Sequence, residues 1–123
     1  MSDAVVAVLP PRAASAARAR ELVVAQCSAW GLQGLCDDAA LVVTELVANA
    51  VRHAGTDIEI SFTHLVSGLR LEVKDGSRRP LRHRTALSSD EGGRGLLLVD
   101  ALSTRYGVVG EADGKRVWAE LVG

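Results

Sequence analysis

The chain has 123 residues, of which 48% are hydrophobic and 24% are charged, and its formal net charge is −1. This length and composition are typical of one globular domain, here residues 1–123, and argue against a disordered chain. The small net charge gives no reason to expect direct nucleic-acid binding. No apolar run approaches the ~20 residues of a membrane span, so a membrane-embedded protein is also excluded.

The N-terminal sequence has no basic segment ahead of an apolar stretch, so it does not resemble a secretory signal and we expect a cytoplasmic protein. The chain contains two cysteines, Cys27 and Cys36. Thiols in a reducing compartment are more often free than bridged, and no second Cys/His cluster completes a zinc site. The sequence therefore predicts neither a structural disulfide nor a structural metal centre.

The N-terminal part of the chain predicts a strand followed by a helix. The apolar run at residues 4–9 ends at Pro10 and Pro11 and is typical of a short strand. Proline is tolerated at the start of a helix, and residues 12–30 continue with alanine-rich helical spacing. The side chains available for a buried stripe on this helix are Ala13, Ala17, Leu22, Val24 and Trp30.

A second helix is expected to begin at a cap formed by Asp37 or Asp38 and to end near Ala54. The side chains that suit packing on a sheet are Ala39, Val43, Leu46 and Ala50. On the same helix, Glu45 and Asn49 lie one turn apart, with apolar residues on both sides of them. This polar stripe is either a partly sheltered ligand-binding face or an exposed polar face, and the segment alone leaves both open.

After the second helix, the period of the hydrophobic pattern changes from 3.6 residues to two residues, which predicts a β-hairpin. Residues 58–63 and 69–74 alternate apolar and polar side chains around a turn at Ser67 and Gly68. Asp75 has the parity of the apolar side chains that precede it, so the inward-facing row ends in a carboxylate. A buried carboxylate needs donors from the protein or from a ligand, whereas a strand that ended one residue earlier would leave Asp75 in a solvated turn.

Residues 76–92 show no sustained periodicity and predict a long loop, which in a compact domain is usually functional. Gly92, Gly93 and Gly95 then precede an apolar helix that runs to about Leu102. Glycines allow the backbone to approach a ligand closely, and a helix N-terminus presents free N–H groups that suit a phosphate. The segment is neither a Walker A loop nor a dinucleotide-binding fingerprint.

The C-terminal part of the chain predicts two strands joined by a turn at Asp113 and Gly114. The first lies near Tyr106–Val109, and the inward side chains of the second are Val117, Ala119 and Leu121. The order β-α-α-β-β-loop-α-β-β predicts an α/β two-layer sandwich. Its sheet is expected to be mixed but largely antiparallel, with the helices on one face.

In this order, the segments TELVANAVRHAG, KDG and GGRGLLLVDAL resemble the N, G1 and G2 boxes of the GHKL ATPase superfamily, whose shared ATP-binding domain is the Bergerat fold. The resemblance covers essentially the whole chain. Within the superfamily, the chain is most similar to the bacterial anti-sigma factor and serine-protein kinase branch. The segments that carry this similarity are ALVVTELVANAVRHAG, GGRGLLLVDAL and GKRVWAEL. The resemblance implies one histidine-kinase-like ATP-binding domain, with an ATP lid at about residues 76–92.

The resemblance also implies roles for residues of the second helix. In this family the asparagine of the N box binds Mg²⁺ between the nucleotide phosphates, and it corresponds to Asn49. The acidic residue one turn earlier, Glu45, would be the general base. Arg52 would face the phosphates, and His53 would lie near the sugar or base of the nucleotide. A histidine at a helix C-terminus is equally well explained by the helix dipole.

The G1 and G2 boxes would supply the remaining nucleotide contacts. Asp75, followed by Gly76, would accept a hydrogen bond from the adenine amino group. The phosphates would be cradled by Gly93, Arg94, Gly95 and Leu96. The chain departs from the usual Asp-x-Gly-x-Gly pattern of the G1 box because residues 77–79 are Ser-Arg-Arg, and a threonine common near the start of the last strand is replaced around Arg116.

The resemblance implies an ATP-binding regulator that holds a sigma factor or a similar partner. Such a protein phosphorylates a serine or threonine of an antagonist protein with Mg²⁺–ATP. Members of this branch often form homodimers, and the exposed arginines of residues 12–30 are the expected partner-facing element. The alternative is a non-catalytic interaction module, with or without nucleotide, which the altered G1 box favours. Glu45, which binding alone would not require, favours the kinase.

Overall fold

The computed structural model of the protein describes residues 4–76 and 91–123. Its elements are β1 (Ala4–Leu9), α1 (Ala14–Ala29), a 3-10 turn (Gln33–Leu35), α2 (Cys36–His53), β2 (Ile58–Leu65), β3 (Gly68–Asp75), α3 (Glu91–Leu102), β4 (Arg105–Glu111) and β5 (Gly114–Val122). The strand order in the sheet is β1-β2-β3-β5-β4. Within these two ranges, no helix is long and apolar enough to cross a membrane.

The two-layer α/β architecture predicted from the sequence is confirmed, but the sheet is not mixed. Each pair of neighbouring strands in the described part of the chain is antiparallel. Phe62, Leu71 and Leu121 lie on the inward face of the sheet, are at most 2% exposed, and form one core with residues of α1 and α2. The predicted alternation of β2, β3 and β5 is therefore confirmed.

The first helix buries a different stripe from the predicted one. Its buried residues are Ser15, Ala19, Val23 and Cys27. The predicted stripe is exposed at Ala13, Ala17 and Val24 and half-buried at Leu22 and Trp30. The prediction was wrong because alanine and valine occur on every side of this helix, so hydrophobicity selects no face. Ser15 is accommodated in the interior because its hydroxyl donates to the carbonyl oxygen of Pro10 at 2.6 Å.

The second helix begins slightly earlier than predicted. The 3-10 turn leads directly into Cys36, and neither Asp37 nor Asp38 forms a side-chain cap. Both carboxylates lie in the first turn, where they interact favourably with the positive end of the helix dipole. The predicted packing stripe is confirmed, since Ala39, Val43, Leu46 and Ala50 are all buried.

The outward face of the sheet carries a network of ion pairs around Glu120, which is 8% exposed. Its carboxylate accepts hydrogen bonds from Arg105 and, at 2.8 Å, from Arg70 Nη1. These hydrogen bonds, that of Arg105 first, hold the pKa of the Glu120 carboxyl below its ordinary value. Arg70 also stacks over the Trp118 ring at 4.3 Å from the ring centroid. Paired charges therefore cover the side of the sheet that no helix covers.

Replacing Glu120 with glutamine is expected to lower the free energy of unfolding at pH 7 by about 1–2 kcal/mol, because a charge-assisted pair is lost. The folded-state pKa lies below the ordinary value of 4.5, so the stabilisation is complete above that pH and is lost as the pH falls through the folded-state pKa. In urea unfolding, the difference between wild type and Glu120→Gln should therefore shrink between pH 7 and pH 3.

Glu21 supplies the control, since its pair with Arg18 has side chains that are 58% (Arg18) and 70% (Glu21) exposed. Glu21→Gln should change the free energy of unfolding by less than about 0.5 kcal/mol at pH 7. A Glu120→Gln difference of the same size at both pH values would contradict the assigned role of the Glu120 pairs.

Candidate functional site

The polar stripe of α2 runs along the border of the buried face of the helix. Glu45 and Asn49 are both half-buried. On one side of them Val42 is fully buried, and on the other Leu41 is 46% exposed. The stripe is therefore neither a core feature nor the fully exposed polar face that the sequence left open. Its side chains are partly sheltered from water, as the ligand-binding interpretation requires.

The last turn of α2 carries the two basic residues predicted to lie near the nucleotide. Arg52 is exposed, and its Nη2 atom donates to Asn49 Oδ1 at 3.1 Å. The structure thus brings a guanidinium group to the predicted metal ligand. His53 is half-buried and is the final residue of the helix. This position suits both of its predicted roles, a nucleotide contact and an interaction with the negative end of the helix dipole.

Asp75 is the last residue of β3 and is 3% exposed. It faces the helix layer, as the parity of the strand predicted, and the alternative of a solvated turn residue is wrong. The inward residue opposite it on β5 is Lys115. Arg116, at the position where the family's threonine is replaced, lies on the outward face and pairs with Glu72 and Glu111. Lys115, and not Arg116, is therefore the residue of β5 that lies opposite Asp75.

Two residues that the sequence analysis did not assign to the site hold the backbone at this strand end. The Gly76 N–H donates to Thr56 Oγ1 at 2.9 Å. Gly114 has φ 152° and lies so close to β3 that a Cβ atom built on it would be 1.9 Å from the carbonyl oxygen of Asp75. The sequence shows Gly114 only as a turn residue, because the approach of β5 to Asp75 is created by strand pairing.

The third helix begins at Glu91, so the glycine cluster lies within its first turns and not ahead of it. This corrects the predicted loop-to-helix boundary. Gly93, Arg94, Gly95 and Leu96 all lie within the helix. The side chains at positions 91–96 lie outside the described residues, and so do residues 77–90 of the lid predicted at about residues 76–92.

The second helix connects the elements that carry the three motifs. It packs against both β3 and α3. The stripe of α2, the inward carboxylate of β3 and the N-terminal half of α3 therefore belong to neighbouring elements, although they are far apart in the chain.

An open pocket of about 260 Å³ adjoins the same strand end from the outward side of the sheet. It is lined by Val8, Thr56, Asp57, Glu59, Lys74, Asp75, Gly76 and Asp113. Its volume lies below the ~300–1,000 Å³ of typical small-molecule sites. Neither Glu45 nor Asn49 contributes to it. The pocket therefore shares Asp75 and Gly76 with the site that the three motifs predict, but none of the residues of α2.

Residues 9–121 match the family model of the histidine kinase-like ATPase domain. The chain belongs to this family. It is also 37% identical, over 86 residues, to a Streptomyces coelicolor protein described as uncharacterized, and the match covers 66% of this chain and 82% of that protein. The membership confirms the GHKL-type resemblance and makes ATP the expected ligand of this histidine kinase-like domain. The anti-sigma factor branch stays a prediction.

Gly114→Ala tests whether the close approach of β5 fixes the end of β3 in this histidine kinase-like domain. The new methyl group would collide with the Asp75 carbonyl, and the φ angle is one that alanine rarely adopts. We expect a loss of about 1–3 kcal/mol in the free energy of unfolding, measured with urea. Gly55→Ala is the matched control, because nothing lies within 4 Å of its Cβ position. Equal stability of the two variants would contradict the assignment.

Proposed function

We propose that this histidine kinase-like domain is a protein serine/threonine kinase of the anti-sigma factor type. It binds Mg²⁺–ATP, holds a sigma factor or a similar partner, and transfers the γ-phosphoryl group to a serine or threonine of an antagonist protein. The observation that carries the proposal is the inward carboxylate of Asp75 on a strand that packs against the Glu45–Asn49 helix.

Asp75 supports recognition of adenine. A carboxylate that is 3% exposed is stable only among hydrogen-bond donors, and the exocyclic amine of adenine is such a donor. Guanine has a carbonyl oxygen at the corresponding position. This oxygen and the Asp75 carboxylate are both hydrogen-bond acceptors, so they would not form a hydrogen bond. The chemistry of Asp75 thus favours adenine nucleotides over guanine nucleotides.

Asn49 and Arg52 support binding of the phosphates with Mg²⁺. A carboxamide oxygen is a ligand that Mg²⁺ accepts, and this ion is commonly held by one or two protein oxygens together with phosphate oxygens and water. Asn49 Oδ1 accepts one hydrogen bond from Arg52 and retains a second lone pair. The guanidinium group beside it would add positive charge next to the phosphates. When bound, Mg²⁺ would neutralise charge on the transferring phosphoryl group.

Glu45 supports the transfer step. It lies one turn before Asn49 on a half-buried stripe, so a substrate hydroxyl beside the phosphates would be within reach of its carboxylate. Glu45 would take the hydroxyl proton while the substrate oxygen bonds to the γ-phosphorus and the bond from phosphorus to the leaving ADP oxygen breaks. Partial burial places the carboxylate in a medium where its charge is less screened than in water.

Calorimetric titration of ATP with and without Mg²⁺ tests the nucleotide site. Wild type should bind ATP in a Mg²⁺-dependent manner. Asp75→Asn should weaken binding by about tenfold to a hundredfold, because a buried hydrogen bond to a charged group is worth ~1.5–3 kcal/mol. Asp113→Asn should leave the affinity unchanged, since Asp113 lines the outward pocket and pairs with Lys74 on that side of the sheet.

The pair of variants locates the site as well as testing it. Loss of binding in Asp113→Asn but not in Asp75→Asn would move the nucleotide to the outward pocket. No binding of ATP by folded wild type at millimolar concentration would refute the nucleotide-binding proposal. Circular dichroism of both variants establishes that they are folded.

The alternative function is an interaction module that transfers no phosphate, and the loss of the later G1 glycines at residues 77–79 favours it. The two functions differ in what they require of Glu45. With γ-labelled ATP and an extract of the source cells, wild-type protein should label a serine or threonine of a small acceptor protein. Glu45→Gln should reduce this labelling by at least about a hundredfold, because general-base catalysis contributes ~10²–10⁴-fold.

Glu59→Gln is the control for this assay, since Glu59 lies on the outward face of the sheet. It should label the acceptor at the wild-type rate. Equal labelling by wild type and Glu45→Gln would refute the kinase and favour the interaction module. Arg12, Arg18 and Arg20 are exposed, which supports the first helical segment as the partner-facing element. The identity of the partner and a homodimer stay predictions.

A further inference from the structure

Lys115 lies directly opposite Asp75 on the neighbouring strand, because the antiparallel register of β3 and β5 pairs the two residues. Alternate residues of a strand share one face of the sheet. The residues of β5 that share the face of Lys115 include Ala119 and Leu121, which are buried in the core. Lys115 therefore lies on the inward face, as Asp75 does, and it is half-buried there.

The backbone holds these two positions close together. Directly opposed residues of an antiparallel pair have Cβ atoms about 4.5–5.5 Å apart, so a side chain as long as lysine reaches past its partner. Gly114 packs so tightly on the end of β3 that no Cβ atom would fit between it and the Asp75 carbonyl oxygen. Since Lys115 follows Gly114 immediately, its backbone is fixed against the strand end that carries the carboxylate.

The ammonium group of Lys115 forms no ion pair or side-chain hydrogen bond with another residue of the ranges 4–76 and 91–123. The lysine on the opposite face of the same strand end differs in this respect, because Lys74 pairs with Glu111 and Asp113. An ammonium group carries three hydrogen-bond donors and no acceptor. The inward lysine can therefore donate to a ligand that lies beside Asp75.

We infer that Lys115 is a second base-recognition residue of the nucleotide site. Its ammonium group donates a hydrogen bond to N1 of adenine, while the Asp75 carboxylate accepts one from the exocyclic amine. This inference rests on the proposed binding of ATP, and it names the residue that recognises the second polar position of the base.

The two side chains complement the edge of adenine that carries these groups. In adenine the exocyclic amine on C6 is a donor, and the adjacent N1 is an acceptor. A carboxylate only accepts and an ammonium group only donates, so each side chain faces a group of the opposite kind. Guanine or hypoxanthine held in the same position would present an oxygen at C6 and an N–H at N1. Both contacts would then be mismatched, so the pair selects adenine more strongly than Asp75 alone.

A contact with the phosphates is the alternative for a lysine in a nucleotide site. The residues that support phosphate binding lie on α2, where Arg52 donates to Asn49 Oδ1 at 3.1 Å. Lys115 is instead paired in register with Asp75, the residue that would hold the base. The position of Lys115 therefore favours the base, and the two contacts respond differently to a change at N1.

Calorimetric titration with Mg²⁺–ATP and with 1-deaza-ATP, in which a C–H group replaces N1, tests the inference on the unaltered protein. Wild type should bind 1-deaza-ATP at least about tenfold more weakly than ATP, because a sheltered hydrogen bond from a charged donor is lost. Equal affinities for the two nucleotides would overturn the role of Lys115 but leave the proposed function intact. No binding of either nucleotide would refute both.

Lys115→Met assigns the contact to this side chain, since methionine keeps a long apolar side chain but has no ammonium group. The variant should bind ATP about tenfold more weakly than wild type. It should also bind ATP and 1-deaza-ATP equally. If the variant is weaker toward both nucleotides by the same factor and still prefers ATP, then Lys115 acts on the phosphates or on the fold, and the inference is wrong.

Lys74→Met is the matched control, because Lys74 precedes Asp75 in the chain and lies on the outward face. It removes the same charge from the same strand end. This variant should discriminate between ATP and 1-deaza-ATP as wild type does, and loss of discrimination would show that the net charge, and not the inward position, governs the effect. Urea unfolding of both variants establishes that they are folded.

Discussion

Asp75 ends the inward row of β3 with a carboxylate that is almost completely buried. A charge in this position must be surrounded by donors, and it must be held so that it neither turns out to solvent nor slips toward the core. Gly114 and Thr56 meet the second requirement because they fix the backbone on both sides of the strand end. The first requirement makes this strand end suited to a ligand group that donates hydrogen bonds, such as the exocyclic amine of adenine.

The second helix meets two opposed demands at once. The helix packs against α1 and against the sheet, so it must be strongly apolar on its buried side. Its polar stripe must still reach a solvated ligand. Glu45 and Asn49 satisfy both demands because they lie on the border of the buried face. Partial burial there reduces the screening of the Glu45 charge by water, but the charge is not enclosed in the apolar core.

The two faces of the sheet have different roles in stability and in the proposed binding. The inward face supplies the apolar core and ends in Asp75. The outward face is covered by charges that neutralise one another, with Glu120 shared by two arginines and Trp118 lying between Arg70 and the backbone of Gly107. Because the outward charges are paired among themselves, this face contributes stability, whereas Asp75 of the proposed nucleotide site belongs to the inward face.

Several features of the protein were determined by the sequence alone, because their physical cause is local. The two-residue period of the hairpin fixes which side chains point inward, and this parity predicted an inward Asp75 provided that the strand extended to it. The helical period fixes Glu45 and Asn49 on one face of α2. The order of the three motifs predicted the family that residues 9–121 match. The roles of these residues in binding and phosphoryl transfer stay predictions.

Only the tertiary structure decided which distant segments meet. The buried stripe of α1 was mispredicted because its composition is similar on all sides, so the choice of face depends on what α2 offers. The antiparallel pairing of β3 with β5 brings Gly114 to Asp75. Such contacts leave no periodic pattern in the sequence, because they depend on the packing of elements and not on the conformational preferences of the residues that form them.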